Sequence, residues 1–453
     1  MREALQQPND QNCYMFDSER LDNNNVNPGG LTITDANLLS IPGDLLADVD
    51  ICDKDRTFKV TSSTIQNVSE LSAKGYRVSF VDKSPRYMLD RETQDDVDKE
   101  IDTLSEREDC TTVLFDPGVH PVGHAWFQLR KRAIALHPLY NVGSISTLGE
   151  GINPDVYDEP LFDGLSAVQI LQAEDGPEKT SAMIDKYRAF IGTPMEDATG
   201  FYPSSRDFLT GVIDSQAVQT RVDTAIDMVE THIESNAERY KEKGIVCASL
   251  ACGSAGPVYE MANRLIHNGV NIEKLILVDN DPLALASAFS LSKSYGISDR
   301  IQIIKSNIMS DDLIDVIGSE VVDVVDLLGI FEYIPRSLRL AGVNYRVAEL
   351  FLRNAMQVLR PGGIAVVGNM LADRPQQRFF KKVWPRLYQR TVSEVIEIIE
   401  EAGIDPMSTE IKVPAREGVY AIYGFQKTLE TAQTPDIIRY HELAKRLMSR
   451  LSY

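Results

Sequence analysis

The clearest pattern of apolar and polar positions lies in the second half of the chain. IVCASLA (245–251), KLILVD (274–279), IQIIK (301–305), VVDVVDLL (321–328) and IAVVG (364–368) are short apolar runs separated by amphipathic stretches. KLILVD lacks polar alternation, as a parallel strand buried on both faces does. A helix opens at Pro257, a residue favoured at the first helical position, with Val258, Met261, Ala262 and Leu265 inward and Asn268-Gly269 at its end. Asp281-Pro282 cap the next helix, which runs to Gly296. SDDLIDVI (310–317) is helical, and a helical segment follows VVDVVDLL and reaches Leu359. The turn Pro361-Gly362-Gly363 leads into IAVVG, and Thr391 with Glu394 makes a capping box for a helix to Gly403. TEIKVP (409–414) and VYAIYGFQ (419–426) are joined so closely by AREG that they pair antiparallel. TPDIIRYHELAKRLMSRL (434–451) is a further amphipathic helix.

The first half is less regular. RTFKVTSSTI (56–65), GYRVSFVD (75–82) and TTVLFDP (111–117) read as strands, and DDVDKEIDTLSERED (95–109) as an exposed acidic helix. AVQILQA (167–173), SAMIDKYRAFI (181–191) and SSRDFLTGVI (204–213) carry helical spacing. Residues 218–244 read as one long amphipathic helix with Val222, Ala225, Met228, Val229 and Ile233 on one face and Gly244 as its stop. The chain therefore divides into a mixed α+β region of unassigned role (1–160), a helical linker or lid (161–243), a domain of alternating strands and helices (244–428) and a C-terminal helix (429–453). Alternating βα units imply a doubly wound parallel sheet with right-handed connections. Ligands then bind past the carboxyl ends of the strands, where the strand order reverses.

Composition narrows the function classes. A chain of 453 residues is too long for one ordinary core, and a net charge of −21 repels phosphate backbones, so no nucleic-acid partner is expected. No apolar run approaches the roughly 18–20 residues that span a bilayer, and MREALQQPNDQN lacks a signal-peptide core. Five scattered cysteines without a C-x-x-C pair point to a reducing cytoplasm. His120 and His124 in HPVGH have ligand spacing, but Pro121 and Gly123 break the helix this would need and no third ligand is evident, so no metal is expected.

The chemistry concentrates at the turn Ala251-Cys252-Gly253-Ser254-Ala255-Gly256. Small residues there let backbone approach a ligand and let the next helix pack near the strand. Asp279, ending the second strand, can accept from a ribose hydroxyl pair. A purely structural turn uses the same residues.

Residues 245–428, about two fifths of the chain, resemble the class I S-adenosylmethionine-dependent methyltransferases. SLACGSAG stands where that family has a glycine-rich signature of the form D/E-x-G-x-G-x-G; LVDNDP, SNIM, DLLGIFEYIP, LRPGG and the closing hairpin match its later elements in order. The resemblance implies a Rossmann-like methyltransferase sheet, S-adenosylmethionine as cofactor, and cofactor contacts at Ser249, Ala251, Cys252, Gly253, Ser254, Asp279, Asn280, Asn307 and Gly329. The chain departs from the signature at Ala251, Ala255 and Ser249, and Asn307 replaces a more frequent Asp. Alanine suits positions with φ below zero, and Ser249 supplies no carboxylate to the cofactor's ammonium. GIFEYIP, VVGNM and WPRLYQRTVSEV look similar to methyltransferases associated with methyl esters of fatty or hydroxy-fatty acids.

On the substrate side the candidates are Glu332 and Tyr333 past the fourth strand, Asn369 ending the fifth, and Arg390, which would anchor an anion. The alternatives are rim, turn and surface roles. Trp384 and Tyr388 read as a packed i, i+4 pair, Cys252 as a close-packed thiol, and Tyr202 and Arg206 as lid residues or parts of a helix cap. No His–acid pair stands out, which fits an acceptor that is already anionic. The expected activity is thus methyl transfer to a small molecule, at a carboxylic acid oxygen. The alternatives are a cofactor-binding regulatory protein without turnover, an aminopropyl- or aminocarboxypropyl-type transferase on the same scaffold, and a nucleotide-dependent oxidoreductase, which the closing hairpin disfavours.

Overall fold

The computed structural model describes residues 58–85, 89–108, 157–181, 211–241, 243–309, 312–340, 343–383 and 387–427. In chain order these form α1 (Ser62–Ala73), β1 (Arg77–Val81), α2 (Arg91–Glu106), β2 (Pro160–Phe162), β3 (Leu165–Ser166), α3 (Ala167–Asp175), α4 (Ile213–Ser235) and α5 (Ala237–Tyr240). Then follow β4 (Ile245–Leu250), α6 (Gly256–His267), β5 (Ile272–Asp279), α7 (Pro282–Ser294), β6 (Ile301–Lys305), α8 (Leu313–Ile317) and β7 (Val322–Leu327). The chain continues with β8 (Ser337–Leu340), β9 (Val343–Arg346), α9 (Val347–Val358), β10 (Leu359–Met370), α10 (Gln377–Val383), α11 (Val392–Glu401), β11 (Glu410–Pro414) and β12 (Tyr420–Gln426).

Eight strands make one sheet in the order β1-β11-β12-β10-β7-β4-β5-β6. Every neighbouring pair is parallel except the two that involve β12. The chain leaves β4 toward β5 and β6, then crosses back to β7, so the order reverses between β4 and β7. This is the doubly wound α/β sheet that the alternation implied, with β12 inserted antiparallel as the second strand of the closing hairpin.

Period-two alternation sends β4 side chains to two cores. Ala248 and Leu250 face one built with α1, α9 and α11; Cys247 faces the other, built with α4, α6 and α7. All six β4 residues are buried, which explains its unbroken apolar reading.

Several expectations need correction. The strand expected over 56–65 becomes a helix from Ser62: Thr61 caps it, and Thr64, Ile65, Val68 and Leu71 form a helical stripe. β1 was expected in a separate N-terminal region, but it pairs with β11 and extends the main sheet. The long helix ends at Ser235 with Asn236 as C-cap, well short of Gly244. A Cβ on Gly244 would lie 2.5 Å from that of Glu273, so this glycine serves the close approach of β4 and β5. A hairpin, β8–β9, occupies part of the segment expected to be helical before Leu359. The turn at Pro361-Gly362-Gly363 is absorbed into β10 as a register shift between Leu359 and Ile364. His120, His124, Tyr202, Arg206, Trp384 and the C-terminal helix lie outside the described residues. Among the described residues no helix is long and apolar enough to cross a membrane, and no cluster of ligating side chains suits a metal.

Candidate active site

A cleft, open at its mouth, lies at the carboxyl ends of β4 and β7. That is the point of reversal, where neighbouring loops part and leave a crevice. Ser249, Leu250, Ala251, Cys252, Ser254 and Pro257 form the wall contributed by β4 and its turn. Asp326, Leu328, Gly329, Glu332 and Tyr333 come from β7 and the loop after it. Asp214, Val218 and Arg221 of α4 close the cleft with Met370, Phe380, Leu387 and Tyr420.

The β4 turn is tight because three of its residues are left-handed: Ala251 (φ 57°), Gly253 (φ 54°) and Ala255 (φ 63°). The condition under which alanine can replace glycine there, φ below zero, is not met, because both alanines are left-handed. Closing the turn onto Asp279 holds them there. Gly253 N–H donates to Asp279 Oδ2 (2.8 Å), Asp281 N–H donates to Oδ1 (3.0 Å), and Cys252 N–H donates to the Val278 carbonyl (3.0 Å). Burial pushes the Asp279 carboxyl up, against the backbone N–H groups of Asp281, Gly253 and Asn280, which pull it down. Burial also drives the Cys252 thiol well up, which keeps it protonated and inert, in line with a packed thiol.

Of the expected cofactor contacts, Ser249, Ala251, Cys252, Ser254 and Gly329 line the cleft. Gly253 and Asp279 are joined to each other and are not among its lining residues. Asn280 is exposed beside Asp279, and Asn307 Oδ1 accepts from Met309 N–H (3.0 Å); neither lines the cleft.

Glu332 is 2 % exposed and lines the cleft. Arg221 Nη1 donates to its Oε1 (3.3 Å), while Oε2 and Arg221 Nε have no hydrogen-bond partner among the described residues. The Arg221 guanidinium lies over the Tyr420 ring, 4.6 Å from its centroid. Burial raises the Glu332 carboxyl, and the nearby Arg221 and Arg390 charges oppose that. Tyr333 is 40 % exposed at the rim.

Arg390 was expected to hold an anionic substrate. Its Nη1 donates to the Phe331 carbonyl (3.1 Å) and to Asn369 Oδ1 (2.9 Å), and its Nη2 donates to the Ile334 carbonyl. Neither Arg390 nor Asn369 lines the cleft. Together they clamp the loop that carries Glu332, and Tyr388 N–H adds a bond to the Glu332 carbonyl (2.7 Å). Tyr388 itself is 44 % exposed.

Sequence reasoning missed Asp214, Arg221, Asp326 and Tyr420. Asp326 carried a readable signal, because an acid inside an apolar parallel strand has to be accommodated somehow. Asp323 carries the same signal and is answered structurally: it accepts from Val246 N–H (3.1 Å) and from Arg360 Nη1 (2.5 Å). Asp214 is held by both terminal nitrogens of buried Arg374, a pairing across 160 residues that no local pattern shows.

No family model matches the chain, and no curated protein matches it. Among solved structures it is similar to a possible exported protein from Bordetella parapertussis, at 17% identity and a TM-score of 0.39 over 64% of this chain and 97% of that one. It is also similar to the CMeT domain of the citrinin polyketide synthase, at 13% identity and a TM-score of 0.38 over 82% of this chain and 99% of that one. A third is the S-adenosylmethionine-dependent methyltransferase SibL, at 13% identity and a TM-score of 0.37 over 58% of this chain and 73% of that one. Likeness at this level adds nothing to what the strand order shows by itself.

Proposed function

We propose that this chain binds S-adenosylmethionine at the turn after β4 and transfers its methyl group to a small molecule in the adjoining cleft. The observation that carries this reading is the position of the cleft: it opens at the reversal of strand order, with the tight β4 turn as one wall. The residues present fit the cofactor. Each Asp279 oxygen accepts one backbone N–H and keeps acceptor capacity for a ribose hydroxyl. When bound, the cofactor supplies a methyl group already activated by its sulfonium centre. The chain then has to align an acceptor and keep water out.

The side chains opposite the turn suit those tasks. Met370, Phe380, Leu387 and Tyr420 are apolar walls. Glu332, oriented by Arg221 and by the Arg390 clamp, lines the cleft, and its buried Oε2 would serve as base for a proton on the acceptor once that oxygen is uncovered. The sequence pointed to a carboxylate acceptor because no base was visible. The cleft favours instead an acceptor that carries a proton, a hydroxyl or an amine. Of the three carboxylates that line the cleft, Asp214 and Glu332 are paired with Arg374 and Arg221, and Asp326, without an ion pair among the described residues, is the one that disfavours an anion. The same carboxylates favour a second reading, transfer of an aminopropyl-type group to a polyamine on this scaffold.

Titration calorimetry of the full chain with S-adenosylmethionine and S-adenosylhomocysteine tests the proposal. Folded protein that binds neither rules it out. Asp279→Ala is expected to weaken both by about tenfold or more, as loss of charge-assisted hydrogen bonds does; unchanged affinity would remove Asp279 from the site. Turnover against carboxylic acids, amines and phenols then identifies the acceptor. Binding without any turnover favours the regulatory alternative.

A further inference from the structure

Asp326 is the buried charge in this cleft that the protein leaves without a counter-ion. It is the penultimate residue of β7, is 9 % exposed and lines the cleft. Its two oxygens accept from neutral donors, Ser249 Oγ to Oδ2 (2.9 Å) and Leu328 N–H to Oδ1 (3.0 Å). It makes no ion pair among the described residues. The other two acids that line the cleft have a cation, as has the other acid on the same strand: Asp214 has Arg374, Glu332 has Arg221 and Asp323 has Arg360. The field of Arg221 reaches Asp326, but that guanidinium is already bonded to Glu332.

A carboxylate removed from water with only neutral partners is an expensive arrangement unless a cation arrives to share the site. Burial raises the Asp326 carboxyl, and the bonds from Ser249 and Leu328 lower it. Those bonds also fix its orientation. Each oxygen retains a lone-pair direction, so the group can still accept two N–H donors from a ligand.

We infer that Asp326 is the anchor for the α-ammonium group of the cofactor's amino-acid end, with Ser249 as its positioning residue. The inference rests on the proposed cofactor reading. It also accounts for serine at 249: the carboxylate missing from the end of β4 is supplied from the adjacent strand, across a parallel pairing in which Ser249 stands directly opposite Asp326. The hydroxyl that cannot bind an ammonium as a charge instead holds the charge that does.

Two nucleoside thioethers separate this assignment from the reading beneath it. S-adenosylhomocysteine carries the α-ammonium group; 5′-methylthioadenosine has the same nucleoside and lacks the amino-acid end. Calorimetry with the full chain is run on the wild type, Asp326→Asn and Ser249→Ala. Asparagine keeps the shape and can still pair with Ser249 and with Leu328 N–H, so the fold is preserved. Asp326→Asn is expected to lose about thirtyfold or more in affinity for S-adenosylhomocysteine, as does truncating a buried hydrogen-bonded charge pair. Its affinity for 5′-methylthioadenosine is expected to stay within about twofold, well under the roughly 1.4 kcal/mol that a tenfold change represents. Ser249→Ala should show a smaller loss of the same selectivity. Unchanged affinity for S-adenosylhomocysteine in Asp326→Asn, or an equal loss for both ligands, overturns the ammonium assignment and leaves the cofactor reading intact. A wild type that binds neither thioether overturns both.

Discussion

Arg390 and Glu332 have opposite kinds of neighbour. The Arg390 guanidinium is occupied by the Phe331 and Ile334 carbonyls and by Asn369, so its planar fork holds the loop. Glu332, held within that loop, has one oxygen on Arg221 and one without a partner among the described residues. If Oε2 receives the acceptor's proton, the carboxyl must be ionised to work. Its raised pKa then places the rise of kcat with pH above the ordinary carboxylate range. Glu332→Gln keeps the bond from Arg221 and loses the base. With an acceptor found by the turnover panel, kcat is expected to fall by roughly 10²-fold or more and the rising limb to vanish. A variant that keeps both the rate and the limb would leave Glu332 a structural partner of Arg221. Part of this was legible at the level of residues. Position after a strand marked Glu332, but what Arg390 touches depends on carbonyls more than fifty residues away, which no local spacing encodes.

The β4 turn is the element in which sequence and structure differ most instructively. Its small residues marked it as a close-approach turn, and its place after a buried strand was equally plain. The sign of φ was not, because alanine by itself favours negative φ, and the turn that holds it left-handed is closed by bonds to Asp279, Val278 and Cys252. Left-handed backbone costs an alanine about 1–2 kcal/mol, and glycine avoids that at the expense of a more disordered unfolded chain. Ala255→Gly is therefore expected to be neutral or to stabilise by up to about 1 kcal/mol. Ala262→Gly, a fully buried position inside α6, should destabilise by about 1 kcal/mol or more. Urea unfolding of the two variants measures both, and an Ala255→Gly as damaging as Ala262→Gly would contradict a left-handed Ala255. α4 shows a different limit. Its apolar stripe was legible, and Val222, Ala225, Met228, Val229 and Ile233 are all buried. Its other face is buried too, through polar groups: Gln216 Nε2 donates to Gln94 Oε1 (3.0 Å), Thr220 Oγ1 to Glu417 Oε2 (2.9 Å), and Arg221 to Glu332. Apolar periodicity cannot register a polar face that is buried by pairing.

At the scale of the whole molecule, the wrapping of sheet, α4 and the N-terminal strand leaves carboxyls in places where ionisation is disfavoured. Burial pushes Glu417 up to about 7, against the bond from Thr220 and the charges of Arg416 and Lys59. Burial pushes Glu349 up as well, helped by the neighbouring Glu401 carboxyl, with which it can hydrogen-bond only while one of the two holds a proton. In both cases the folded state holds its proton more tightly than the unfolded chain, whose glutamates titrate near 4.3. The sign follows: the stability these groups contribute is present in full below that value and is lost as pH rises through about 7. A net charge of −21 adds self-repulsion in the same direction as the last carboxyls ionise. The chain is therefore expected to unfold in urea more easily at pH 8 than at pH 5.5. Glu417→Gln keeps an acceptor for Thr220 without a charge to bury. It should recover roughly 1–3 kcal/mol more at pH 8 than at pH 5.5. An identical gain at both values would mean that packing, rather than protonation, is what the substitution changes. A flat profile in the wild type would mean that Glu417 is ionised in the folded chain, and the hairpin junction between β11 and β12 would then have to admit water.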